Sequence, residues 1–438
     1  MQMRTRRLRT ALLLGAMTTM VALPWNRGLV GLASWGPSST LPGLAPGRVW
    51  SLAASPTTAG LVVAGTDRGV YVTPDSGAHW SATTLSAVRV WSVGFDARNP
   101  ARIFAGTDGR GIDVSTDGGQ TWTASSTGLQ DRTVRTLAFG LDGIAAGTNR
   151  GVALSPDGAS WHDGGLDQFS ISSVAVAANS PSLVLVAASD LGNLSNGYLF
   201  RYSGGTSWQT LQSGLPTSAV VSAVAAGPLS SSVPKRPLLL ATSKGTFRSG
   251  DSGSTWSAST GVPENLAVTA AVFSPLDPQL VYAGADQGGS NGGGLLRSTD
   301  GGASFGVADQ GLPAQVRQVE ALAVAQTTPP TVIAGLDPAS GGVVFVETDR
   351  TAPVPPALVA EAPGGVIPAT LATAPPTAGP PVVSSRPPHV AESGSGAARL
   401  LGAVLHWPIP LVLEVLLVLA VAYVVVRWRQ RYYVEGPP

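Results

Sequence analysis

The sequence predicts an all-β chain, and three observations lead there. Gly 54 and Pro 35 in 438 residues, with charged residues at only 12%, favour many short strands and tight turns over helices. Short runs of Val, Ile, Leu, Phe and Ala, bounded by Gly, Pro, Asn and Asp, recur through the middle of the chain. A turn motif ending in an aromatic residue returns every 39 to 49 residues.

The turn motif comes first in the argument. It places Ser or Thr two residues before an Asp, then Gly, then an aromatic. The copies are Thr73, Asp75, Gly77 and Trp80; Ser115, Asp117, Gly119 and Trp122; Ser155, Asp157 and Trp161; Ser249, Asp251, Gly253 and Trp256; and Ser298, Asp300, Gly302 and Phe305. A sixth copy, from Tyr202 to Trp208, has lost the Asp. An Asp at this place accepts hydrogen bonds from backbone N–H groups of its own turn, and Gly supplies the positive φ where the chain reverses. The aromatic opens the next strand and packs beneath the hairpin. Asp75, Asp117, Asp157, Asp251 and Asp300, with Trp80, Trp122, Trp161 and Trp256, are therefore read as structural.

Each motif follows the same three short runs. In the first copy they are residues 49–54, 60–65 and 69–73, and in the second 90–95, 101–106 and 111–115. Three strands, a turn and a fourth strand opened by Trp make one blade of a β-propeller. After Phe305 one more set of three runs appears without a fourth, and Pro353, Pro355 and Pro356 follow. The missing strand is expected at the start, because Trp35 and the residues after it match those that follow Trp122. The expectation is a single seven-bladed ring over residues 34–350, closed by the N-terminal strand, which hides edges that would otherwise pair with other chains.

The ends set the expected compartment. Arg4, Arg6, Arg7 and Arg9 precede an apolar stretch over 11–23, so residues 1–33 read as a signal peptide or as an uncleaved N-terminal anchor. Residues 351–398, rich in Pro, Ala, Val and Gly, read as a flexible spacer that cannot bury a core. Residues 399–427 contain an apolar run long enough to span a bilayer, and 428–438 are a short tail. Arg427, Arg429 and Arg431 put that tail in the cytoplasm, so the propeller is expected outside, as a single-pass protein of the cell membrane. Glu414 lies within the span, where an ionisable group is either functional or a protonated or snorkelling side chain.

Composition excludes several chemistries. With no Cys, disulfides, thiolate metal sites and Cys nucleophiles are ruled out. A net charge of +1, with no basic run in the folded part, gives no argument for nucleic acid. His79, His162, His389 and His406 are scattered among two turns, the spacer and the membrane edge, so no metal, triad or cofactor is expected.

Aligning the innermost strands isolates one position that varies around the ring: Trp50, Trp91, Arg135, Ser172, Ser222, Thr269 and Glu320. Blades seven, one, two and three thus place Glu320, Trp50, Trp91 and Arg135 side by side near the channel mouth. Arg48, Arg89 and Arg317 sit just before those strands, and the turns between second and third strands carry Asp67, Asp108, Arg110, Asp190, Lys244, Asp286 and Asp337. Aromatic faces beside Arg and Glu suit a sugar ring, a peptide or a partner's loop. The competing reading is a packed core, with both Trp wedged between blades and Arg135 paired to Glu320 across the channel.

The turn motif resembles the Asp box, or bacterial neuraminidase repeat. The blade text over residues 34–350 resembles the photosystem II assembly-factor family of seven-bladed Asp-box propellers, and the sortilin propeller. The resemblance implies a binding or assembly scaffold, with an envelope or membrane protein as partner. The alternative is a glycan-binding or glycan-cleaving module, since sialidases and xyloglucan-cleaving enzymes also carry Asp boxes. Catalysis is not expected: a sialidase-type site needs an Arg triad and a Tyr activated by Glu, whereas Tyr71, Tyr198, Tyr202 and Tyr282 lie away from Glu320 in the repeat alignment.

Overall fold

The computed structural model describes residues 36–37 and 47–358, apart from 180–181, 192, 203–206, 217–218, 231–234, 264–265, 287–293, 310–311, 313–317, 337–343 and 357. These lie within the first of two compact units, 1–379; the leader, most of the spacer and the expected span fall outside them. Among the described residues there is no helix, and so none long and apolar enough to cross a membrane.

A short strand β1 (Gly36–Pro37) comes first in the chain. Blade one is β2 (Val49–Ala54), β3 (Val62–Thr66), β4 (Gly69–Thr73) and β5 (Ser81–Ser86). Blade two is β6 (Val90–Phe95), β7 (Ile103–Thr107), β8 (Ile112–Ser115) and β9 (Thr123–Ala124). Blade three is β10 (Val134–Phe139), β11 (Ile144–Thr148), β12 (Val152–Ser155) and β13 (His162–Asp163). Blade four is β14 (Phe169–Asn179), β15 (Ser182–Asp190), β16 (Asn193–Tyr202) and β17 (Gln209–Leu211). Blade five is β18 (Val221–Ala226), β19 (Leu238–Thr242), β20 (Gly245–Ser249) and β21 (Ser257–Ala258). Blade six is β22 (Ala267–Phe273), β23 (Val281–Asp286), β24 (Leu295–Ser298) and β25 (Gly306–Val307). Blade seven is β26 (Val319–Ala325), β27 (Thr331–Leu336) and β28 (Val344–Thr348), with β1 as its outer strand.

All strand pairs within the blades are antiparallel, and β1 pairs with β28 through Gly36–Val346 and Pro37–Phe345. Consecutive innermost strands pack on one another, and β2 also packs on β26, so the seven sheets close into a ring. The core lies between blades. At the closing seam Val49, Leu52, Val62 and Trp80 of blade one bury against Ala321, Ala323, Ile333 and Val344 of blade seven. With apolar faces buried on both sides, strands such as β3 and β7 are buried at every residue, which is why they read as unbroken apolar runs. Blades approach so closely that a Cβ on Gly335 would sit 2.9 Å from the Val49 side chain across the seam.

The turns between third and fourth strands are held by their own carboxylates. Asp117 accepts from the Gln120 and Thr121 N–H groups at 3.0 Å each and from the Ser115 hydroxyl at 2.8 Å. Asp251 and Asp300 repeat this with Thr255 and Ser304 N–H at 2.9 Å. Asp157 accepts from Ala159 N–H, and in the first turn His79 supplies both its N–H and its ring to Asp75. The turn aromatics Trp80, Trp122, Trp161 and Trp256 are all buried, with Trp122 Nε1 donating to Gly119 C=O and Trp161 Nε1 reaching Ser125 C=O of blade two.

The fold continues past residue 350, where the sequence reading placed its end. Asp349, completely buried, accepts from the Tyr282 hydroxyl and, at 2.6 Å, from Arg297 Nε, both in blade six. Its other oxygen takes the Thr351 N–H and hydroxyl. Ala352 packs on the core between blades six and seven, and Leu358 forms an antiparallel bridge with Ser230 of blade five. The start of the expected spacer is therefore laid against the propeller.

Candidate functional site

The variable position of the innermost strands has a backbone cause. In every blade the register with the second strand slips at this residue: Trp50, Trp91, Arg135, Ser172, Ser222, Thr269 and Glu320 each fall inside a β-bulge. A bulge leaves one residue out of the ladder and re-aims its side chain. The residue before the bulge is a buried Val or Ile in all seven blades and anchors the strand in the inter-blade core.

Blades one to three carry an alternating stack of guanidinium and indole. The Arg48 guanidinium lies 5.3 Å from the Trp50 ring centroid, and Arg89 lies 5.8 Å from Trp50 and 4.9 Å from Trp91. Arg135 completes the series 4.9 Å from Trp91. The two indoles meet at 4.6 Å between centroids with a tilt of 57°. Each cation–ring contact is worth about 0.5–1 kcal/mol where water still reaches it.

Carboxylates fix this ladder. Asp67, in the turn after β3, accepts from Arg48 N–H at 3.0 Å, Trp50 Nε1 at 2.8 Å and Arg89 Nε at 2.9 Å. Partial burial pushes its pKa up, but these hydrogen bonds, the Trp50 one foremost, outweigh burial and leave it below the usual carboxylate value. Asp108, at the matching turn of blade two, takes the other end of Arg89 at 3.4 Å. Glu320, its side chain 8% exposed, pairs with Arg48 at 3.1 Å across the seam between blades seven and one.

The ion pair therefore corrects one expectation. Arg135 does not reach Glu320; it donates to Asn149 at 3.3 Å, and no described carboxylate forms an ion pair with it. Burial lowers its pKa, with the field of Asp108 only partly opposing that shift, and a guanidinium stays charged regardless. Trp91 Nε1 is also without a hydrogen-bond partner among the described residues. Both tryptophans are half-buried, with their faces taken by arginines and by each other.

The opposite arc is plain. Ser172 turns its hydroxyl to the Ala187 and Val221 carbonyls at 3.1 and 2.8 Å, and Thr269 to Gly284 and Val319 at 3.1 and 2.6 Å. These hydroxyls bind blade to blade and present little to the channel. Arg110, singled out on the rim, pairs with the buried Asp113 at 3.0 Å; Arg317 and Asp337 lie outside the described residues.

Asp67, which the sequence places only among the rim turns, is the carboxylate that fixes the ladder. The signal was available in the repeat: Thr66-Asp67, Thr107-Asp108 and Thr148-Asn149 recur at one place, and each turn N–H bonds the carbonyl two residues before a bulge. Among the described residues no group of His, Asp and Glu is arranged to hold a metal ion.

No protein-family model matches the chain, and no curated protein is similar to it in sequence. Solved structures do share the fold. The extracellular domain of a hybrid two-component system from B. thetaiotaomicron is 14% identical with a TM-score of 0.52, over 72% of this chain and 39% of that one. YCF48 from Cyanidioschyzon merolae is 16% identical with a TM-score of 0.50, over 72% and 98%. A structure of YCF48 bound to D1 peptide is 17% identical with a TM-score of 0.50, over 73% and 97%. At these identities the likeness is one of fold, that of a seven-bladed propeller.

Proposed function

We propose that this protein is a membrane-anchored, extracytoplasmic scaffold whose channel mouth grips an extended acidic segment of an envelope or membrane protein. The observation that supports it is the ladder of Arg48, Trp50, Arg89, Trp91 and Arg135, in which Arg135 alone has no carboxylate partner among the described residues. A peptide carboxylate meets Arg135 there, and the flanking guanidinium edges offer further charge-assisted bonds. Sugar stacking would need a free indole face, which the ladder does not present. Tyr71, Tyr202 and Tyr282 are buried, and the half-buried Tyr198 packs its ring on Phe169 and Phe200. The anchoring rests on the apolar run before Arg427, and the outward placing on the basic residues at both ends. That one propeller of this fold binds a peptide agrees with the reading without carrying it.

The test is capture from intact cells by cross-linking and co-purification, comparing the full-length protein with a Trp91→Ala/Arg135→Ala variant. A discrete envelope or membrane protein captured by the parent and lost in the variant supports the scaffold. Capture of cell-wall glycan alone, or of the same protein by both, sinks it.

A further inference from the structure

The ring has two closures, one at each end of the chain, and they are unequal. The N-terminal one is a strand of two residues on the outer edge of β28. The C-terminal one begins at Asp349, which stands where the other blades have the Asp of their turn. Val332 pairs with Glu347 as Val281 pairs with Ser298, and Asp349 follows Glu347 at the same distance that separates Asp300 from Ser298. In blade six that carboxylate caps its own turn at the surface. In blade seven the chain does not turn back, and the carboxylate is instead buried against Tyr282 and Arg297 of blade six.

We infer that residues 349–356 together with Leu358 are a clamp: they fasten blade seven to blades six and five and thereby hold Glu320 in register with Arg48 across the seam. Three attachments make the case. Asp349 ties β28 to β23 and β24, Ala352 packs into the core shared by blades six and seven, and Leu358 pairs with Ser230 in blade five. A buried guanidinium and carboxylate this close define one geometry, because separating them strands both charges away from water. The seam gains from it directly. Blade seven reaches blade one through Val49 against Gly335 and through the Arg48–Glu320 pair, and both need blade seven seated. The clamp acts whatever the channel mouth binds.

The chain contains no Cys, so engineered pairs report without background. In the full-length protein, Ser230→Cys/Leu358→Cys is expected to form a disulfide under mild oxidation. Amide hydrogen exchange then compares the parent with Arg297→Met/Asp349→Ala, which removes both charges so that neither is stranded. The expected result is exchange faster by about tenfold or more in β26, β28 and residues 48–51, restored when the 230–358 disulfide is added and oxidised. Tyr282→Phe, which takes one donor from Asp349 and leaves the ion pair, gives the same pattern at smaller amplitude and serves if the double variant does not fold. A disulfide that fails to form, a rise confined to blade six, or an unchanged seam in the folded variants overturns the inference.

Discussion

The two arcs of the channel are built on one backbone and do different work. Blades four to six and blades one to three share the same bulge at the same place, yet one arc fills it with Ser172, Ser222 and Thr269 and the other with Trp50, Trp91 and Arg135. On the plain arc the aimed side chain is short, and the Ser172 and Thr269 hydroxyls go to carbonyls of the next blade, so the bulge serves ring assembly there. On the laden arc the side chain is long, and assembly passes to the next residue. There Ser51, Ser92 and Thr136 hydroxyls accept the N–H groups of Val93, Leu137 and Val174 in the following blade. Blade four does both, through Ser172 and Ser173, while blades five to seven have Ala223, Ala270 and Ala321 at the second place. The repeat thus frees one position per blade; in blades one to three, where the next residue supplies the fastening, it is filled with Trp or Arg, and in blade seven Glu320 fills it and reaches across the seam to Arg48.

Truncation sharpens the contrast most. Trp91→Ala removes a ring flanked by two guanidinium groups and a second indole and should cost about 2–4 kcal/mol in urea unfolding, whereas Thr269→Ala should cost about 1 kcal/mol. Equal losses would break the comparison. Asp67→Ala comes next: it leaves Trp50 Nε1 without its acceptor and releases Arg89, for an expected loss of about 2 kcal/mol. Ultraviolet circular dichroism of the coupled indoles should change with it, and an unchanged near-ultraviolet spectrum would argue that Asp67 does not set the ladder. Ser92→Ala strips the acceptor from the part-buried Leu137 N–H and should cost about 1 kcal/mol, while Ala270→Ser on the other arc should stay within about 0.5 kcal/mol.

The smallest effect is one of pH. The folded pKa of Asp67 lies below that of the unfolded chain, so its contribution is complete above the unfolded value, about 3.9, and fades as pH falls through the lower folded one. The stability difference between the parent and Asp67→Asn should therefore be flat above about pH 5 and shrink below about pH 4. The turn carboxylates Asp75, Asp117 and Asp251, held at about 2, carry the same sign and keep their turns to lower pH. A difference that grows on acidification would contradict the assignment.

What the sequence revealed and what it hid divide along the repeat. Strands, blade number and the pairing of the first strand with the last blade follow from periodicity, because the blades solve the same packing problem with Val or Ile before the bulge and, in blades one to six, an aromatic after the turn. The residues gathered at the mouth were legible as an aligned column. Their partners were not. Arg48 rather than Arg135 pairs with Glu320, since neighbouring blades bring these two within 3.1 Å across the seam. Asp349 escaped notice because it uses the turn motif's spacing without its turn, and Tyr282 and Arg297 come from two strands of another blade. Such contacts depend on how blades face one another, which a single blade's text does not state.

The measurement that bears most directly on the central claim places a photo-cross-linking residue at Arg110, on the rim of the laden arc, and separately at Lys244, exposed on the plain arc. Both are made in the full-length protein in intact cells. The account predicts a single protein adduct from position 110, abolished by Trp91→Ala/Arg135→Ala, and none from position 244. Adducts of equal yield from both, or from position 244 alone, would contradict it.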